Sequence, residues 1–408
     1  MTSHRGLPAI LCDIFCNVID NYGDIGVCWR LAQQLANEHG LAVRLWVDDL
    51  GSLSRLCHEA DAARDIQRCR GVEVRHWTAD AFHPLPQPLS PSEERVVADL
   101  VIEAFTCKLP QSYIEAMATQ AHKPVWINLE YLSAEDWVHG CHGLPSPHPS
   151  LPLTKYFFFP GFTKQTGGLL LERNLLERRD TFQCDTAQQQ TFWQSIGIRT
   201  PAAETLKISL FGYENAALHD LFGIWANGTR PVLCLVPEGR ILLQVGQYFG
   251  DAAPRAGNSY VRGSLQVRVL PFVEQDRYDE LLWACDVNFV RGEDSCVRAQ
   301  WAATPFVWQI YPQHDAVHWK KLQAFLNLYN APLSSSASKA VQSMWQAWNS
   351  GTGAGAAWPA FESARGELDA HAQRWARELA ENNLALNLLD FFQKIGRMRA
   401  FKIEGQQT

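Results

Sequence analysis

With 408 residues, of which 47% are hydrophobic and 19% charged, the chain suits two packed domains rather than one core, and general disorder is excluded. A formal net charge of −7 gives no general basic field, so a nucleic-acid backbone is not an expected partner and a basic protein fits better. The N-terminal stretch MTSHRGLPAILCDIFCNVID lacks a secretory pattern, no apolar run reaches membrane-spanning length, and the eleven scattered cysteines contain no CxxC pair. Together these predict a cytoplasmic protein with reduced thiols, off the membrane. Fifteen tryptophans suit cores as well as sugar-facing or protein-facing surfaces, and identify no partner.

In chain order, the first half alternates short apolar runs with longer polar or helical ones. The runs are 9–16 (AILCDIFC), 41–47 (LAVRLWV), 71–77 (GVEVRHW), 99–105 (DLVIEAF) and 124–129 (PVWINL), the pattern of βα units around a parallel sheet. Ile25, Val27, Leu31, Leu35 and Ala36 approximate helical spacing, and Gly40 stands where a left-handed cap would end that helix. Ser133 and Asp136 resemble a variant capping box opening another helix. His139 and His142 flank Cys141, but their spacing fits no common zinc arrangement, and WVHGCHGLPSP reads as a loop. The aromatic run Tyr156–Phe162 reads as a buried strand leading toward the second domain.

A second alternating set follows the polar stretch 181–200, with strands expected at 206–211, 231–236, 265–270, 287–290 and 306–310. The low-complexity stretches Ser334–Ser338 and Gly351–Ala357 are expected to be loops, and 370–400, rich in Ala, Leu, Glu and Arg, one or two helices.

Three constellations can carry chemistry. The first is Asp20, Asn21, Tyr22, Gly23, Asp24, Ile25 and Gly26, between the first strand and first helix, where parallel α/β sheets bind ligands. Two carboxylates across Gly23 can both face a ligand, or one can cap the helix while the other works; each alone reads equally as a turn or capping residue. The second is Arg291, Gly292, Glu293, Asp294 and Ser295, a strand end, glycine turn and helix start. Such a turn offers amides and a positive dipole end to a diphosphate, with Ser295 donating, Arg291 adding a bidentate contact and Glu293 accepting from a ribose hydroxyl. A plain helix start with acidic residues favoured by the dipole is the other reading. The third is aromatic: Phe211, Tyr213 and Phe272 lie at strand ends and could form a stacking wall for a nucleobase, with Gln275 reading its edge, although single aromatics more often belong to cores. There is no GxGxxG, no DxD pair and no GxSxG, which disfavours dinucleotide binding, metal-dependent sugar transfer and nucleophilic hydrolysis.

The segments DIFCNVIDNYGDIGVCWRLAQQL, LAVRLWVDDL, NLEYLSAEDWVHGCHGLPSP, FFFPGFTKQTGGLL and VRGEDSCVRAQWA, in this order, resemble the protein-arginine rhamnosyltransferases that modify translation elongation factor P. The resemblance implies an α/β fold of the GT-B glycosyltransferase type, with two Rossmann-like domains facing a central cleft. It places an acceptor-binding domain at 1–178, a nucleotide-sugar domain at 179–374, and a helix of about 375–400 back on the first domain. It further implies inverting transfer of L-rhamnose from dTDP-β-L-rhamnose, a co-substrate, to an arginine in the N-terminal domain of elongation factor P, relieving ribosome stalling at proline stretches, with no cofactor or metal required. On this resemblance Asp20 is the general base and Asp24 its neighbouring essential carboxylate, while Phe211, Tyr213, Phe272, Gln275, Arg291, Glu293, Asp294 and Ser295 form the donor site. A nucleotide-sugar transferase acting on lipid or glycan would share the donor residues and differ in the first domain. A non-catalytic binding module would need neither the RGEDS turn nor the paired carboxylates.

Overall fold

The computed structural model describes residues 10–20, 22–78, 97–312 and 317–404, with side chains up to 398; Asn21 and the stretch 1–9, which includes the first residue of the first apolar run, lie outside them. The chain divides into two compact units, one running to Arg173 and resuming at Asn382, the other Asn174–Glu381.

The first unit contains β1 (Leu11–Cys16), α1 (Gly23–Asn37), β2 (Ala42–Val47), α2 (Leu50–Leu56), β3 (Ile66–Cys69), β4 (Val72–His76), β5 (Leu100–Ala104), α3 (Gln111–Thr119), β6 (Val125–Leu129), α4 (Trp137–Cys141), β7 (Pro145–Pro147) and β8 (Thr154–Phe158). Its sheet runs β3-β4-β2-β1-β5-β6-β8-β7, parallel except for the antiparallel edge strands β3 and β7. β5 and β6 are buried along their whole length, and β1 at all but its first residue. That is why the inner strands read as continuous apolar runs instead of alternating ones. A buried ion pair enters this core: Asp13 accepts from Arg44 Nε and Nη2 at 2.5 and 2.6 Å and from the Tyr113 hydroxyl at 2.5 Å. With both carboxylate oxygens engaged, the buried pair is satisfied; removing one partner alone would cost about 3–5 kcal/mol.

The second unit contains α5 (Leu175–Cys184), α6 (Thr186–Ser195), β9 (Leu206–Leu210), α7 (Ala217–Asn227), β10 (Val232–Pro237), α8 (Leu242–Phe249), β11 (Ser259–Arg262), β12 (Leu265–Leu270), α9 (Gln275–Trp283), β13 (Val287–Arg291), α10 (Asp294–Trp301), β14 (Phe306–Gln309), α11 (Val317–Asn330), α12 (Ser335–Ser350), α13 (Ala354–Ser363) and α14 (Arg365–Leu379). Its order is β11-β12-β10-β9-β13-β14, again parallel apart from β11. Most tryptophans go to cores: Trp225, Trp301, Trp345 and Trp348 are fully buried here. The last helix, α15 (Leu384–Glu404), belongs to the first unit, where Phe391 meets Tyr156 and Phe158 edge-on at ring centroids of 5.5 and 5.7 Å.

The strand expectations match within a residue or two, except that the strand expected over Tyr156–Phe162 is β8, which ends at Phe158 and is half-buried at all but that residue; Gly40 takes φ +73° with its amide on the Ala36 carbonyl. Four local expectations are corrected. Ser334 is not in a loop but caps α12, its hydroxyl accepting from the Ala337 amide, and Ser335–Ser338 are helical. Gly351 and Gly353, at φ +78° and +81°, form only a short link between α12 and α13, and Ala354–Ala357 are helical. No capping box forms at α4, because the Ser133 hydroxyl accepts from the nearby Glu135 amide and Asp136 makes no side-chain cap. The WVHGC segment, expected as loop, is this short helix; His139 Nε2 pairs with the Thr163 hydroxyl at 3.0 Å and His142 Nδ1 accepts from the Phe159 amide at 3.1 Å.

Candidate active site

Strand order places both polar constellations. In the first unit β1 connects outward to β2 on one side while β5 lies on its other side, so the loop after β1 opens at the point where the direction of winding reverses. In the second unit the same reversal lies between β9 and β13, whose trailing loops carry Phe211–Tyr213 and Arg291–Ser295. Ligands of open α/β sheets bind outside the carboxyl ends of strands at such points.

The loop after β1 is held on two sides. Asn17 Nδ2 and the Val18 amide donate to the Asp48 carboxylate, the latter at 2.9 Å; the Ile19 and Asp20 amides both donate to Asp24 Oδ2 at 2.9 Å. The Asp20 carbonyl accepts from the Gly23 amide at 2.6 Å, closing the turn into α1. Asp24 is only 4% exposed, whereas Asp20 is half-buried. Burial pushes the Asp24 carboxyl up, the two amides pull it down, and the charges of Asp20 and Asp48 push it up again. Asp24 is therefore the residue that shapes the loop and does not cap the helix, since α1 has no side-chain cap. Asp20 is carried at the loop's tip beside exposed Ile19, with a carboxylate oxygen 2.8 Å from where a Gly23 Cβ would be. Only Gly leaves that space. Asn21 lies outside the described residues.

In the second unit, Arg291 ends β13 and is 5% exposed. Its guanidinium lies 4.6 Å from the Phe211 ring centroid and 4.5 Å from that of Tyr213, and its Nη1 is buried with no hydrogen-bond partner among the described residues. Aromatic faces hold a planar cation in place but leave its N–H edge to be satisfied by something else. Gly292, at φ +62°, makes the turn that a Cβ would strain, and the Trp308 indole donates to its carbonyl at 2.6 Å. The α10 helix then begins at Asp294, so the Ser295 and Cys296 amides have no acceptor within the helix.

Several of the expected donor-site residues are engaged within the protein. The Ser295 hydroxyl, expected to donate to a phosphate, gives its proton to the Arg291 carbonyl and accepts from the Arg291 amide at 3.1 Å, so it braces the turn. Tyr213 is 3% exposed and does not present an open face, whereas Phe211 is half-buried; Arg291 lies against both rings. Gln275 opens α9 and donates to Asp294 at 3.1 Å, joining the loop after β12 to the RGEDS turn. Phe272, in that same loop, and Glu293 and Asp294, at the start of α10, are half-buried. Sequence reasoning missed Asp48, although the DD pair ending LAVRLWVDDL marked it, and Arg240, which pairs with Glu214 at 3.0 Å and lies 5.7 Å from the Tyr213 ring.

The chain matches the family described as Elongation-Factor P (EF-P) rhamnosyltransferase EarP over residues 12–393. It is 51% identical to the protein-arginine rhamnosyltransferase of Pseudomonas putida over 93% of this chain and 98% of that one, and 48% identical to that of Pseudomonas aeruginosa with the same coverage. A solved structure described as the structural basis for EarP-mediated arginine glycosylation of translation elongation factor EF-P superposes with a TM-score of 0.65, at 38% identity, covering 94% of this chain and 99% of the other. Two Rossmann-like α/β units with this likeness make a GT-B type glycosyltransferase. The chain belongs to the EarP family of elongation factor P rhamnosyltransferases, enzymes named as protein-arginine rhamnosyltransferases.

Proposed function

We propose that this chain transfers L-rhamnose, with inversion, from dTDP-β-L-rhamnose to an arginine of the N-terminal domain of elongation factor P in the cytoplasm, relieving ribosome stalling at proline stretches. Support comes from the family and from one structural contrast: of the two switch-point loops, one is acidic around Asp20 and the other holds a buried cation, whose Nη1 has no hydrogen-bond partner among the described residues, beside a helix start. The first suits a guanidinium and the second a diphosphate. No helix among the described residues is long and apolar enough to cross a membrane.

In this reading the donor diphosphate is met by Arg291 and the first amides of α10, with the base against the aromatic edge that includes Phe211 and Phe272. Glu293 takes the ribose, and Gln275, Asp294 and Ser295 hold the turn in shape. Arg291 and the helix dipole offset the leaving charge, so no metal is needed. The acceptor guanidinium has a pKa above 12 and delocalised lone pairs, so it needs a carboxylate that both orients it and takes its proton. Asp20 does this as the C–N bond forms on the face opposite the departing diphosphate, which turns a β donor into an α product. Asp24 keeps Asp20 in place through the backbone.

The test is intact mass of purified elongation factor P after incubation with this protein and dTDP-β-L-rhamnose, where a single added deoxyhexose is expected. Asp20→Asn should bind thymidine diphosphate normally while transfer falls about 100-fold or more, the usual loss for a general base. Near-normal turnover would move the base elsewhere, and an unmodified factor with active donor hydrolysis would refute the acceptor.

A further inference from the structure

We propose that Asp48, at the carboxyl end of β2, is a positioning residue for transfer, fixing the front half of the loop whose rear half Asp24 fixes. The inference rests on the reading of Asp20 as base. Each of residues 17–20 gives one N–H to one of two carboxylates: Asn17 and Val18 to Asp48, Ile19 and Asp20 to Asp24. The two clamps come from different elements, one from the end of β2 and one from the first turn of α1. β2 is hydrogen-bonded to β1 in parallel register, with Val47 opposite Cys16, so Asp48 is one residue past the last rung that fixes the start of the loop. A loop without Asp48 would keep the Asp24 clamp and the Gly23–Asp20 turn but lose its approach from β1, leaving the Asp20 carboxylate less fixed relative to the sheet. A misplacement of about 1 Å at a reacting group can cost on the order of 100-fold.

The charge of Asp48 also acts on Asp24, so a purely electrostatic role has to be separated from a geometric one. Asn at 48 keeps an oxygen for the Val18 amide and removes the charge; Ala removes both. With the full chain, Asp48→Ala is expected to lower kcat for elongation factor P at least ten-fold, with KM for that acceptor and affinity for thymidine diphosphate each within about three-fold of the parent. Asp48→Asn should recover most of that rate. Equal loss in both variants, carried by a salt-sensitive rise in acceptor KM, would overturn the positioning role in favour of simple charge attraction. Unchanged kcat in Asp48→Ala would overturn it outright. Should Asp48→Ala fail to fold, Asn17→Ala removes one of its two contacts from an exposed position; a two- to five-fold fall in kcat is then expected, and none would end the proposal. Asp20→Asn is run in parallel: inactive Asp20→Asn with normal Asp48→Ala fails the clamp alone. Active Asp20→Asn fails the base assignment and the clamp with it.

Discussion

A methyl group added at Gly23 tests the geometry of the acidic loop without touching its charges. A Cβ there would lie 2.8 Å from Asp20 Oδ2 and 3.3 Å from its Cγ, whereas ordinary contact begins at 3.4 Å. The flexible end of Asp20 yields, so the carboxylate moves by about 0.6–1 Å. Gly23 is the first residue of α1 and has no positive φ, so alanine is compatible with the backbone and should leave stability unchanged or raise it by about 0.5–1 kcal/mol. Displacing a proton acceptor by that distance costs roughly 10- to 100-fold in rate, about 1.4–2.7 kcal/mol of barrier. The assay is single-turnover rhamnosylation of elongation factor P followed by intact mass, with urea unfolding and calorimetric titration of thymidine diphosphate as controls. Slow transfer in a stable protein with normal donor affinity is expected. A Gly23→Ala rate within about three-fold of the parent would refute the idea that the Asp20 carboxylate must sit where it does.

Replacing Arg291 with Met keeps apolar bulk between Phe211 and Tyr213 but removes the buried cation, and should weaken thymidine diphosphate binding about ten-fold or more by calorimetry. Ser295→Ala frees the Arg291 carbonyl and amide, so donor affinity should fall even though its hydroxyl is spent inside the turn; unchanged affinity would show that the turn holds without this brace. Because Arg291 and the α10 amides can offset the leaving charge, rhamnosylation should survive EDTA; abolition by chelation and rescue by magnesium would contradict this. Burial, reinforced by the charge of Arg374, lowers the His371 pKa from 6.5 to about 4, so between these values the unfolded chain binds the extra proton and stability falls as pH falls. Taken as an order of magnitude, the loss is about 1–3 kcal/mol. Urea melts at pH 7 and 4.5 should show that loss in the parent and less of it in His371→Leu.

The inner parallel strands were legible because burial on both faces writes them as unbroken apolar runs. The edge strands β3, β7 and β11 were not, since Ile66–Cys69, Pro145–Pro147 and Ser259–Arg262 are short and largely unburied, and only a neighbour across the ladder makes them strands. Serine and glycine misled at 334–338 and 351–357, because the residues that favour turns also cap helices. The location of the acidic loop between β1 and α1 was legible from local pattern, as was the strand–turn–helix of Arg291–Ser295.

Chain-local chemistry, which acts over a few residues, thus determined the α/β alternation, the positions of both polar loops and, through resemblance, the family. Which strand lies beside which is a different matter. β1 meets β5 across more than eighty intervening residues, and that pairing alone makes the Asp20 loop a switch point. The division of labour between Asp20 and Asp24 was equally hidden: two carboxylates four residues apart look alike in a sequence. Only folding shows that Asp24 is buried on the amides of Ile19 and Asp20. Likewise Phe211, Tyr213 and Arg291 are separate in the chain and become one cation-holding unit because β9 and β13 are hydrogen-bonded neighbours. Burial and hydrogen-bond partners are properties of packing, and packing is decided by contacts between residues far apart in the chain.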